Sequence, residues 1–269
     1  VQISLLEKQL GVVLVERTPG AISLSSVGQE IAAAARSVLA TLDDIVTVAS
    51  AGRDNLGSLI RLGVVPTFGP YFLPFFLPDL HRRYPALRIH VREERPALLE
   101  DQVRGGEIDC ALGQQPKHQE AFFFDPIRRE RIFLGVPANH RLASAPSVTL
   151  ADLAGETLLT LGRGHRLVED VRELATLSGS VMAEDYEGTS LDALRQMVAI
   201  EMGLSLFPEF YVRSEFSKEA NVKLLTISDW PASREMGFFW RSSSARGAHF
   251  RQLAVLARTM LDQRETSAG

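Results

Sequence analysis

Only one of the 269 residues is a cysteine. Cys110 has no partner for an intramolecular disulfide, and a reducing, cytoplasmic setting fits the chain without being demanded by it. No apolar run reaches membrane-spanning length, and no signal-peptide pattern opens the chain, so no membrane partner is expected. Positive charge is also scarce: 29 Lys and Arg face 33 Asp and Glu, for a net charge of −4. That is evidence against a chain-wide basic surface, and composition alone does not suggest a nucleic-acid partner. Enzyme signatures are missing as well. There is no G-x-S-x-G elbow, no H-E-x-x-H and no P-loop, and Gly162-x-Gly164 lacks the third glycine of a dinucleotide fingerprint. The six histidines show no ligand-like spacing, so neither a metal nor another cofactor is expected.

What is present is a chain that is 45% hydrophobic and 23% charged, enough for one large or two ordinary domains with real cores. Its most informative stretch is LIRLGVVPTFGPYFLPFFLP, from Leu59 to Pro78. Leu59 to Val65 reads as a strand, Pro66, Gly69 and Pro70 break it, and an apolar helical run follows. Leu87, Ile89 and Val91 alternate as a second strand after the Tyr84-Pro85 stop. Pro96 opens a helix closed by Gly105-Gly106, and Ile108 to Leu112 is a third strand. Strand–helix–strand–helix–strand predicts a parallel α/β sheet with right-handed crossovers. Phe122 to Arg131 reads as an edge strand heading for a domain crossing, and Ile132 to Pro137 as a separate strand beyond it. Further strands are expected at Thr157 to Leu161, 204–208 and Met236 to Arg241, with a closing amphipathic helix at Phe250 to Met260.

The first residues behave differently. The chain opens without a methionine, in mid-pattern, with Ile3, Leu6 and Leu10 on one helical face and Gly11 as a stop. A small hairpin turning at Pro19-Gly20 follows. Ser26 to Ala51 is a long Ala-rich helix in which Val27, Ile31, Ala34, Val38, Thr41, Ile45 and Val48 alternate spacings of four and three. That is a coiled-coil seam interrupted only at Thr41, and a parallel stripe of Ala35, Leu42 and Ala49 widens it. Such a face suits a second helix or the chain's own domain; its small alanines favour the second helix. Residues 52–55 read as a hinge.

Several segments resemble the LysR-type transcriptional regulators. They are QISLLEKQLGVVLVERT, GVVPTFGPYFLP, YPALRIHVRE, LEDQVRGGEIDCAL and TSLDALRQMVAIEMGLSLFP. The likeness is strongest to the family's peroxide-sensing branch and runs through nearly the whole chain. It implies an incomplete winged helix-turn-helix at 1–25, its first helices missing, and a dimerisation linker helix and hinge at 26–56. It implies a two-lobed, periplasmic-binding-protein-like effector domain beyond. One subdomain would comprise 57–131 with 234–264, and the other 132–233. The expected partners are promoter DNA, a small effector, and further copies in a homodimer or homotetramer. Gln2, Ser4, Lys8 and Arg17 would lie near DNA phosphates; as plain residues they are equally solvated surface, and Glu7 and Glu16 offset the two cations.

In an open α/β sheet, ligands sit where strands end and helices begin. That marks Thr67, with Phe68 beside it, as a ligand contact, although Thr67 also suits a helix cap. The second candidate wall is Gly162-Arg163-Gly164-His165-Arg166. In the peroxide-sensing branch a reactive cysteine follows this histidine. Here Arg166 stands in its place, and Ala175 in place of the resolving cysteine, so the resemblance implies a regulator without sulfur chemistry. A threonine that the family carries after the second strand is replaced by Pro96. Arg166 could hold a carboxylate or phosphate, or pair with Glu169 or Asp170. His165 could be a contact or merely structural. Thr189 and Ser190 form a capping-box pattern with Asp192 and could face Thr67 across a cleft. Cys110, inside an apolar strand, reads as a buried inert thiol. A solute-binding protein would share two lobes, but the coiled-coil seam and LEKQLG speak against it.

Overall fold

The computed structural model describes residues 2–18, 20–51 and 59–268. The hinge expected at 52–55 and Pro19 of the hairpin turn lie outside the described residues. Helix α1 (Gln2–Leu10) leads into the antiparallel hairpin β1 (Val15–Thr18) and β2 (Ala21–Leu24). The Glu7 carboxylate accepts the Leu14 and Val15 N–H groups at 2.8 and 3.1 Å, which ties helix to hairpin. Those two N–H groups, foremost, hold Glu7 below the usual carboxylate range. Ser25 starts the long α2 (Ser26–Ala51) by accepting the Gly28 N–H at 2.9 Å. Gly28 itself is required by contact: a Cβ there would sit 2.1 Å from the Leu14 carbonyl oxygen.

The next elements are β3 (Leu59–Val64), α3 (Gly69–Arg83), β4 (Arg88–Glu93), α4 (Pro96–Arg104), β5 (Cys110–Gln114) and β6 (Phe122–Pro137). Then come β7 (Thr157–Leu158), α5 (Leu167–Ser178), β8 (Val181–Met182), α6 (Leu191–Ala199), β9 (Ser205–Pro208) and α7 (Glu209–Glu215). β10 (Val222–Leu225), β11 (Ser233–Arg241) and α8 (Gly247–Ala268) close the chain.

Lobe I has strand order β4-β3-β5-β11-β6. β3 runs parallel to β4 and β5, as the strand–helix–strand pattern requires, and β11 is antiparallel to β5 and β6. Its core joins Ile60, Leu62 and Val64 to the apolar faces of α3, α4 and α8. Lobe II is built on the other half of β6, paired antiparallel with β9 and β10, and has its own core, including Leu134, Val136, Leu194 and Phe207. The two strands expected around residue 131 are therefore one, because the hydrogen-bond ladder continues across the lobe boundary. At the boundary Ile132 N–H donates to the Ala232 carbonyl at 3.0 Å, so the outgoing and returning crossings are bonded together. The strand expected at Thr157–Leu161 is only Thr157–Leu158, with isolated bridges from Leu158 and Leu161.

Aromatic rings join the lobes. Phe210, at the start of α7, inserts into the lobe I core with its ring 4.8 Å from that of Phe68, and Tyr71 meets Tyr211 edge-on at 5.1 Å. α2 packs on lobe I through a narrow stripe that buries Ala40 and Asp44. Val38, Leu42 and Ile45 on its remaining surface are more than half exposed, at 62%, 53% and 53%. The helix thus uses one side on its own lobe and leaves most of the seam uncovered. No described helix is long and apolar enough to cross a membrane.

Candidate functional site

The site begins where β3 ends. Phe68 and Gly69 N–H groups both donate to the Val65 carbonyl, and this turn delivers Thr67 to the lobe boundary. Thr67 does not cap α3; Phe68 is the N-cap residue and makes no side-chain cap. The Thr67 hydroxyl and carbonyl oxygens instead accept from Arg234 Nη1 and Nη2, each at 2.8 Å. Arg234 Nε donates to Glu130 Oε2 at 2.7 Å, and Glu130 Oε1 accepts the Phe210 N–H at 2.8 Å. Four separate segments converge on one buried ion pair. Burial pushes the Glu130 carboxyl up, against the pull of Arg234. By accepting from Arg234, Thr67 keeps its own O–H available to donate.

Across the boundary, α4 and the turn before α5 enclose a cavity of about 370 Å³. α4 supplies Pro96, Ala97 and Glu100, the β5–β6 connection supplies Lys117 and His118, and Arg163 to Arg166 form the opposite wall. Gly164 is in the left-handed region at φ +93°, which turns the chain so that His165 and Arg166 face α4. His165 is buried, and burial first and Arg95 second push its imidazole down, so it is neutral at pH 7. Arg166 pairs neither with Glu169 nor with Asp170. Its Nη2 reaches Glu100 Oε1 across the lobe boundary at 3.2 Å. Two further contacts span the same mouth: Lys117 Nζ to Glu169 Oε1 at 2.7 Å, and Arg95 Nη1 to the Arg163 carbonyl at 3.1 Å.

Gly164, His165 and Arg166 line one cavity. Thr67 is drawn into the Arg234 ion pair rather than onto that wall. Phe68 is fully buried, stacked on Phe72 at 5.2 Å, and offers no surface to a ligand. Ser190, not Thr189, is the N-cap of α6, accepting the Ala193 N–H at 3.1 Å. The expected capping box does not form: Ala193, not an acid, stands three residues after the Ser190 cap, and Asp192 accepts instead from the Tyr211 hydroxyl at 3.1 Å. Thr189 and Ser190 are exposed and do not line the 370 Å³ cavity.

Sequence reasoning missed Glu130 and Arg234, and named Asp170 only as a possible partner of Arg166. Asp170 is in the first turn of α5. Burial raises its carboxyl to about 6, with Arg234 and Arg166 pulling the other way, and its Oδ2 is buried without a partner. The available signal was an arginine opening the apolar strand MGFFW and a glutamate entering IFLGVP, one at each crossing. Cys110 is fully buried, and burial pushes its thiol far up. No cluster of potential metal ligands occurs among the described residues. Gln2, Ser4, Lys8 and Arg17 are all exposed on α1 and β1.

The description of the LysR substrate binding domain matches residues 53–262. The DNA-binding transcriptional dual regulator OxyR of Escherichia coli K12 is 33% identical over 261 residues, which are 97% of this chain and 85% of that protein. A hydrogen peroxide-inducible genes activator of Pectobacterium carotovorum is 32% identical over 253 residues, covering 94% and 83%. Among solved structures, a full-length OxyR variant from Pseudomonas aeruginosa superposes with a TM-score of 0.79 at 29% identity, covering 95% of this chain and 83% of that one. A hydrogen peroxide-bound OxyR variant of Corynebacterium glutamicum gives 0.73 at 27% identity, covering 97% and 84%.

Proposed function

The chain belongs to the LysR family of transcriptional regulators and is OxyR-like, and from that premise we propose that it senses a small anionic effector without a cysteine redox switch. The observation that carries this reading is Arg166, a guanidinium on an inter-lobe cavity, at the position where the sequence resemblance puts the reactive sulfur of the peroxide-sensing branch. An arginine cannot be oxidised to a sulfenate, and Cys110 is too buried to substitute for it. Arg166 with the neighbouring Arg163 and Lys117 makes a cavity that favours negative charge. Gly164 and His165 shape its wall, and Thr67 joins the boundary through Arg234.

The remaining parts complete a regulator. α1 and the β1–β2 hairpin carry Gln2, Ser4, Lys8 and Arg17 toward promoter DNA. The uncovered stripe of α2 pairs with a second copy, and pairs of dimers make a tetramer. The effector acts by binding one arrangement of lobes and linker more tightly than another, since a ligand with equal affinity for both shifts nothing. In a thermal-shift screen of small carboxylates, phosphates and aromatic acids, hits are expected with wild type and lost with Arg166→Ala. If every hit keeps its affinity in the variant, the anion role of Arg166 is wrong.

A further inference from the structure

Arg166 already has a carboxylate beside it, and that carboxylate belongs to the other lobe. Glu100 projects from α4, is 7% exposed, and is the only acid that pairs with Arg166 among the described residues. The contact is a single one at 3.2 Å, through Nη2 alone. Two parallel N–H···O bonds are the stronger arrangement for a guanidinium and a carboxylate, and this pair does not reach it. Glu100 is also served poorly on its other side: both of its oxygens share the Lys117 backbone N–H at 3.3 Å.

We propose that Glu100 is a tethered occupant of the anion position at Arg166, which a ligand carboxylate must displace in order to bind. This rests on the reading of Arg166 as an anion contact. The incoming group is a planar carboxylate able to take two guanidinium N–H groups at once. Such a ligand exchanges one long, single contact for a bidentate one. Because Glu100 stands on lobe I and Arg166 on lobe II, the exchange also removes a bond between the lobes. The two remaining links at that mouth are weak holds. Lys117 and Glu169 are both more than half exposed, at 60% and 55%, and pairs of that kind contribute little. Arg95 donates only to a backbone carbonyl. Displacement of Glu100 therefore loosens the mouth in the same step that fills it, and it links occupancy to lobe geometry without oxidation.

The test is calorimetric titration of the full chain with acetate, benzoate and succinate. Four proteins are compared: wild type, Glu100→Gln, Glu100→Asp and Arg166→Ala. Removing or withdrawing the internal competitor is expected to tighten binding of at least one carboxylate by about tenfold, the worth of one hydrogen bond to a charged group. Arg166→Ala should abolish it. Glu100→Asp keeps the charge but shortens the arm, so it guards against a folding defect in the amide variant. Hydrogen exchange at the first turns of α4 and α5 should rise when benzoate is added to wild type, and be raised without ligand in Glu100→Gln. If both Glu100 variants bind as wild type does while Arg166→Ala does not, the tethered-occupant proposal is overturned and the anion site stands. If Arg166→Ala binds as wild type does, or no protein binds any of the three, both fall.

Discussion

Arg234 and Arg241 stand at opposite ends of one strand, β11, and each is buried against a different part of the molecule. Arg234 holds Thr67 and Glu130 at the lobe boundary. Arg241 Nη2 reaches Asp44 of α2 at 3.1 Å, and Ser244 donates to the same carboxylate at 2.6 Å. The span between them is roughly 23 Å, seven residues of extended chain. The strand between is bonded on both sides, to β5 and β6. A shift at the lobe boundary therefore has a stiff route to the helix that leads to α1 and the hairpin.

Asp44→Ala tests that route. It leaves Arg241 as a buried cation without its carboxylate, and the expected cost is about 3 kcal/mol in urea unfolding. Pairing it with Arg241→Met should recover most of the loss, because the uncompensated charge goes as well. A double-variant loss equal to the sum of the losses of Asp44→Ala and Arg241→Met alone would show that Asp44 and Arg241 act independently.

Asp170 supplies a pH prediction. Its folded carboxyl holds a proton up to about pH 6, against an ordinary value of 3.8. The folded state thus binds more protons than the unfolded chain between those values, so this group's contribution to stability falls as pH rises through that window. Above about 6 the loss is complete, at about 2 kcal/mol after allowance for partial exposure. Asp170→Asn should remove this component and be more stable than wild type at pH 7 by a similar amount. The check is urea midpoints at intervals from pH 4 to 7; a variant curve parallel to wild type would refute the assignment.

Cys110 gives a chemical prediction. Fully buried and with its thiol pushed up by burial, it should resist iodoacetamide and hydrogen peroxide in the folded protein and react once the chain is unfolded in urea. Intact-mass measurement after timed exposure reads the outcome directly. Rapid modification under native conditions, or any reversible change in α2 exchange on peroxide treatment, would contradict a sulfur-free switch.

The alternation of apolar residues and the Pro/Gly breaks were enough to read the parallel half of lobe I, because each strand there is bounded locally. β6 was divided in error, since nothing local distinguishes a strand that ends from one that passes between two sheets. The turn at Gly164 to Arg166 was legible from glycine and charge. The partner of Arg166 was not: Glu100 is 66 positions away, and ion pairing across lobes leaves no periodic trace. Thr67 was found as a strand-end hydroxyl, but its acceptor role depends on Arg234, 167 positions later. The capping box did not form: the cap fell on Ser190, and Asp192 was drawn to Tyr211, a tertiary contact that local pattern does not record.

The place of β11 between β5 and β6 carries a consequence for biosynthesis. As the chain leaves the ribosome, β3, β4 and β5 emerge early, but the strand that must lie beside β5 comes only after all of lobe II. Lobe II, whose strands are contiguous from residue 132 onward, can complete its core first. Lobe I then closes last, around a nascent sheet whose unpaired edge is open to other chains in the interval.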